Sequence, residues 1–263
     1  DIYSADLPSD GALKAINKWV NDKTNGMIPK LHDDNYDKDT IMVLLNALYM
    51  KADWAHKFEG NDTYDREFAK ADGSTVTVPF MNMFEAYESY IKTEDAEGIM
   101  LPYDDGRLAF IALKPGSGDA RGYAASLTGA KLKEAIAAAK ADTFVTVNMP
   151  KFDTEYSVYL TDALKGMGMT DAFDPFLADL SGAGRGVDGP LYISYVFQRV
   201  KVDVNEEGTE AAAVTEIATA EGCALPADEP IVLTFDKPFV YAIVDTETGV
   251  PLFAGVMENP EAK

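Results

Sequence analysis

One run of residues narrows the possible folds more than any other. Thr40 to Trp54 is rich in Val, Leu and Tyr and lies between Asp/Lys-rich and Gly-containing segments. It reads as a long, mostly buried strand. Within it, Ile41 to Tyr49 is too short to cross a bilayer and is interrupted by Asn46, so no transmembrane helix and no membrane partner are expected. An apolar strand of this kind needs cover, because a large bare apolar surface is poorly tolerated in water. Ile193 to Val204 reads as a second long strand.

The pattern around these runs is mixed. Leu13, Ile16, Trp19 and Val20 recur at helical spacing among Lys14, Lys18 and Asn21, and predict an amphipathic helix stopped by Asn25-Gly26. Short alternating runs at Thr75 to Phe80, Ala86 to Lys92, Ile99 to Pro102 and Leu108 to Leu113 predict an antiparallel sheet or barrel. Ala124 to Ala141 predicts one or two helices, Thr143 to Phe152 a strand, and Val158 to Met167 a helix ending near Gly168. Three closing strands are expected at Ile231 to Phe235, Phe239 to Asp245 and Leu252 to Met257. Thr246-Glu247-Thr248-Gly249 joins the last two. Helices and strands do not alternate strictly, which favours an α+β fold over a doubly wound one. A chain of 263 residues, 47% of them hydrophobic, can bury a large core as one large domain or two small ones. It carries no fixed-period repeat and no Pro- or Ser-rich linker. It opens on Asp1, with no signal peptide read near it, so a processed or trimmed start is expected.

Several chemistries are excluded by composition. The formal net charge of -21 repels phosphate backbones, so nucleic acid is not an expected partner. His32 and His56, the only histidines, lie at no metal-ligand spacing, and neither metal nor cofactor is expected. Cys223 is the single cysteine, so no internal disulfide can form, and it falls in a segment that reads as an exposed loop. Ser181-Gly-Ala-Gly-Arg-Gly186 lacks the Lys-[Ser/Thr] ending of a phosphate loop and reads as a plain loop. Asn61-Asp62-Thr63 is a formal glycosylation acceptor.

The stretch after the second long strand is different. From Thr209 the odd positions are Thr209, Ala211, Ala213, Thr215, Ile217 and Thr219, all small or β-branched and uncharged. The even positions carry Glu210 and Glu216. A period of two allows a strand with one buried and one wet face. The absence of bulky anchors allows an exposed loop equally well, and the alternation alone leaves both open.

Lys201-Val-Asp-Val-Asn-Glu-Glu-Gly-Thr-Glu-Ala-Ala-Ala-Val-Thr215 resembles the hinge of a serpin, where a central strand leads into the reactive-centre loop. Phe235-Asp-Lys-Pro-Phe-Val-Tyr241 and Gly249-Val-Pro-Leu-Phe-Ala-Gly-Val-Met-Glu-Asn-Pro260 resemble that family's C-terminal strands. Ile16 to Ile28 resembles the helix across its main sheet. Leu45 to Trp54 and Met149 to Phe152 resemble strands of that sheet, and Asp179 to Gly182 also fits. The matches run in order from about Leu13 to Pro260.

The resemblance implies one serpin domain over 1–263: a large mixed sheet, antiparallel sheets or a barrel, surrounding helices, and a reactive-centre loop at about 208–230. It implies a secreted, metastable inhibitor that is not an enzyme and has no catalytic residues. A serine protease would cut the loop, form a covalent acyl complex and be trapped as the loop inserts into the main sheet. Glu206, Gly208, Thr209, Ala211, Ala212 and Ala213 match the hinge. Lys151, Trp54, Asn46 and Gln198 match the sheet-opening region, with Gln198 standing where the family commonly has a histidine. The family's count puts the scissile bond within Gly222, Cys223, Ala224 and Leu225. With no Lys, Arg or aromatic residue in Thr209 to Pro230, an elastase-like or subtilisin-like target is expected. Family members carry a long N-terminal portion before the residues matched here, and that missing segment is the second expected partner. The alternative within the family is a non-inhibitory, binding or chaperone-like member.

Overall fold

A computed structural model describes residues 2–185, 190–209 and 229–261. In chain order its helices are α1 (Asp10–Lys23), α2 (Ala120–Ser126), α3 (Gly129–Ala137) and α4 (Thr161–Gly166). The strands are β1 (Val43–Leu48), β2 (Ala52–Asp53), β3 (Tyr64–Ala69), β4 (Thr75–Lys92), β5 (Ala96–Pro102), β6 (Leu108–Pro115), β7 (Ala139–Pro150), β8 (Phe152–Tyr159), β9 (Tyr195–Val204), β10 (Gly208–Thr209), β11 (Ile231–Thr234), β12 (Phe239–Asp245) and β13 (Pro251–Met257). The chain divides into two compact units, Asp1–Tyr49 with Glu155–Lys201, and Met50–Thr154 with Val202–Lys263.

In the first unit α1 starts where Ser9 accepts a hydrogen bond from the Ala12 amide at 3.2 Å. It ends where Asn25 and Gly26 turn to φ 51° and 85°, conformations that stop a helix. Thr24 ties off the end, donating to the Val20 carbonyl and accepting from the Ile28 amide. β1 and β9 pair in parallel from Val43↔Tyr195 to Leu48↔Val200. One face of this pair is covered: Val20, Ile28, Leu31 and Phe197 form a buried cluster, with Leu45, Ala47 and Tyr195 packed against it. Leu44 and Asn46, on the alternate positions of β1, are exposed, Leu44 to 42%.

The second unit holds an eight-stranded sheet in the order β11-β7-β4-β5-β6-β12-β13, with β3 added to β4. Only the β11–β7 pair is parallel. β6 and β12 are buried on both faces. Ala109, Ile111, Leu113, Val240, Ala242 and Val244 pack with Tyr123, Leu132 and Ala135 of α2 and α3. Phe110 points the other way, 5.7 Å from the Trp54 ring and 6.0 Å from that of Tyr241.

Of the antiparallel sheet or barrel expected among these strands, the structure has the sheet, and it does not close into a barrel. β11 pairs only with β7, β13 only with β12 and β3 only with β4, so the described sheet keeps open edges. β4 is one strand of 18 residues and not two short ones. Its register against β7 shifts between Met83 and Ala86, where Glu85 takes φ 51°. Such a bulge bends a strand. The half before it pairs with β3 and the half after it with β5, and both halves pair with β7.

Candidate functional site

Within the second unit, β9 ends at Val204 and a three-residue turn, Asn205 to Glu207, leads into β10. The segment Trp54 to Phe58 cradles that turn. The Trp54 amide donates to the Glu207 carbonyl at 2.8 Å, the Phe58 amide to the Glu206 carbonyl at 3.0 Å, and the Trp54 indole to the Asn205 carbonyl at 2.9 Å. Trp54 is buried, stacked on Tyr103 at 4.8 Å and 9°, with Phe58 and Phe110 edge-on. Its ring is therefore fixed on all sides while its one donor holds the turn.

The two glutamates of the turn are held by separate cations. Glu206 receives Lys151 Nζ at 2.7 Å and the Thr63 hydroxyl at 2.7 Å. Burial works to raise its pKa, but the bonds from Lys151, Thr63 and its own backbone outweigh that and hold it below the usual carboxylate value. Glu207 takes Lys57 Nζ at 2.6 Å, which Asp53 also approaches at 3.2 Å. The hydrogen bonds that Lys57 donates to Glu207 and then to Asp53 raise its pKa.

Gly208 is needed for close approach, since a Cβ there would lie 2.1 Å from the Ala52 carbonyl oxygen and 2.7 Å from Asp53 Cα. β10 can therefore pair with both neighbours, Gly208↔Asp53 and Thr209↔Ala52 on one side and Thr209↔Val204 on the other. Thr209 is buried, and its hydroxyl meets that of Tyr103 at 2.6 Å. Burial pushes the Tyr103 hydroxyl well up, so it stays protonated across the physiological range.

Glu206, Gly208, Thr209, Lys151 and Trp54 thus meet around one turn. Asn46 and Gln198 lie in the first unit, directly opposite each other in the β1–β9 register. Ala211, Ala212 and Ala213 of the hinge lie outside the described residues, as does the whole window Gly222, Cys223, Ala224 and Leu225. Sequence reasoning missed Tyr103, Thr63 and Lys57. Each is an ordinary residue brought to the turn from more than a hundred residues away, and no local pattern marks it. His56 pairs through Nδ1 with the buried Glu88 at 2.7 Å, and burial raises the Glu88 pKa against the opposing pull of His56. Among the described residues no group of three or more His, Cys, Asp or Glu could hold a metal, and no helix is long and apolar enough to cross a membrane.

The sequence profile of the family described as "Serpin (serine protease inhibitor)" matches residues 1–260. A serpin-like protein of Thermococcus kodakarensis is 34% identical over 95% of this chain and 57% of its own length. Among solved structures, the thermophilic serpin Tengpin in its native state aligns with a TM-score of 0.85 at 35% identity, covering 96% of this chain and 64% of Tengpin. Thyroxine-binding globulin in complex with thyroxine aligns at 0.83 and 27% identity, covering 98% of this chain and 67% of that one. The chain belongs to the serpin family. It spans about three-fifths of the length of the curated relatives it matches, 57% of the Thermococcus kodakarensis protein and 63% of Serpin B10 of Otolemur garnettii, which is 36% identical over 96% of this chain.

Proposed function

We propose that the protein inhibits an elastase-like or subtilisin-like serine protease. The loop after Thr209 serves as bait, is cleaved within Gly222 to Leu225, and then enters the sheet between β1 and β9 as a new strand. The observation that carries this reading is the register. Thr209 lies between Ala52 and Val204. Counting back by twos along both strands from these partners reaches Met50 with Val202, then Leu48 with Val200, then Asn46 with Gln198. The last two pairs already face each other in the closed seam. A strand growing antiparallel from β10 along β9 would therefore set Ala211, Ala213 and Thr215 at those three levels without any slip. All three are small, so nothing bulky resists their passage. New ladder hydrogen bonds and buried side chains would drive the step, as in other strand additions.

The same reading gives the bare side of β1 its cover. Ile41 is 44% exposed and Leu44 42%. The longer relatives have the length to supply an N-terminal portion over this surface, and inhibition is expected of the protein that contains it.

The test is to mix the longer protein with elastase and with trypsin. An SDS-stable complex with elastase, with cleavage mapped by mass to Gly222–Leu225, is the expected result. Rapid trypsin inhibition with a cut elsewhere would overturn the target assignment. The structural likeness to thyroxine-binding globulin favours a second reading, a non-inhibitory binder. That reading expects no covalent complex with any protease.

A further inference from the structure

We propose that α1 and the strap that follows it, residues 29–37, form a pH-sensitive clamp across the β1–β9 seam, released when His32 takes up a proton. The clamp is visible in the packing. A single apolar cluster joins Val20 of α1, Ile28, Leu31 and Phe197, and it takes in Leu45 and Ala47 of β1 as well as Tyr195 of β9. β1 and β9 cannot part without dividing that cluster. The strap is latched at two points. Asn17 of α1 accepts from the Leu31 and His32 amides at 2.8 and 3.2 Å and donates to the His32 carbonyl at 2.8 Å. Arg199 of β9 donates to the carbonyls of Lys30 and Leu31 at 2.7 and 3.3 Å.

His32 belongs to the first latch through its own amide and carbonyl. Its ring is 4.5 Å from that of Phe197 and 5.4 Å from that of Tyr36, which in turn stacks 6.1 Å from Tyr195. Its Nε2 is buried and has no hydrogen-bond partner among the described residues. A neutral imidazole can leave an unprotonated nitrogen in such a place at modest cost. A second proton would put a charged N–H there with no acceptor, which is a far heavier penalty.

The surrounding charges set the direction. β9 contributes Arg199, whose guanidinium is paired with Glu155 of β8. The strap contributes Asp33, itself paired with Lys30, and Asp34. β1 contributes only Leu45 and Ala47, and α1 meets the strap through the uncharged Asn17. Tyr36 and Tyr195 have hydroxyls pushed up by burial, Tyr36 to about 12, so they stay neutral here. Burial and then Arg199 lower the His32 pKa below 6.5, against Asp33 and Asp34. A lowered histidine leaves the closed state fully stable above about pH 6.5 and weakens it as pH falls through the buried group's own value.

The proposal takes from the inhibitory reading only that the seam can open, and its test uses no protease. Amide hydrogen exchange is measured on Val43 to Leu48 of the purified protein at about pH 7.5 and pH 5, corrected for the intrinsic pH dependence of exchange. Protection should fall at the lower pH by up to about tenfold for each unit by which His32 lies below 6.5. In His32→Leu, which keeps the apolar packing, the fall should shrink to less than about twofold. Equal falls in both proteins, or no fall in the wild type, overturn the proposal. Should the variant fail to fold, the wild type still decides. With two histidines in the chain, their ring proton signals can be followed separately. A His32 midpoint below 6.5, coincident with the loss of protection, is expected, and a midpoint at or above 6.5 refutes the clamp.

Discussion

The two sheets of this molecule are held very differently. In the second unit β12 is buried at every position, with helices on one side and aromatic rings on the other. In the first unit β1 shows its alternate side chains to solvent and leans on α1 with one face only. The first unit presents a parallel pair packed on one face only, and that is where the proposed insertion would admit a strand. The one-sided packing suits the proposed function for a physical reason: a seam that must part cannot also be the best-packed place in the protein.

This comparison can be broken by mutation. The largest effect is expected from Phe110→Ala, which removes a fully buried ring between Trp54 and Tyr241. It should cost about 3–5 kcal/mol, read as a lower urea midpoint with unchanged slope. Leu44→Ala sharpens the contrast. In the 263-residue chain it should cost less than about 1 kcal/mol, because the side chain is already part exposed. In a longer protein whose N-terminal portion covers this face, the same change should cost about 2–5 kcal/mol. Equal small costs in both would mean that the face stays bare.

Smaller again is the effect at the turn. Glu206 has its pKa held below the usual value, so its pairing stabilises the fold above that value and the stability is lost as pH falls through the depressed one. Glu206→Gln should therefore flatten the acid limb of a stability–pH curve and cost under about 1 kcal/mol at neutral pH, because Lys151 is more than a third exposed. Smallest of all, Lys18→Ala breaks an exposed helix pair with Asp22 and should change the unfolding midpoint hardly at all.

Much of this architecture could be read from residue patterns. The helix at Leu13 to Val20 and its stop at Asn25-Gly26 are visible because periodicity and left-handed turns are local facts. The closing strands are visible for the same reason. β8 was hidden, because its exposed, polar residues lack a buried face to set an alternation. The one or two helices expected over Ala124 to Ala141 are two, α2 and α3, and they stop short of Ala141 because β7 captures Ala139 onward by pairing with β4. The bend in β4 rests on one residue, Glu85, of a type that gives no warning. At the turn, Gly208 and its neighbours carry a sequence signal, whereas Tyr103 and Thr63 are recruited by tertiary contact alone.

The central claim is that the loop enters between β1 and β9 in the register set by Thr209. Ala213→Arg tests it most directly. In that register residue 213 would lie level with Leu48 and Val200, on the side of the sheet that a covering N-terminal portion would bury. An unpaired arginine there would cost several kcal/mol and slow insertion relative to release of the protease. Glu210→Arg, on the opposite side of the inserted strand, serves as the control. Each variant of the longer protein is mixed with elastase and examined for an SDS-stable complex. The account predicts that Ala213→Arg is cut and releases active protease while Glu210→Arg still traps it. A full yield of complex from Ala213→Arg would contradict insertion along this seam.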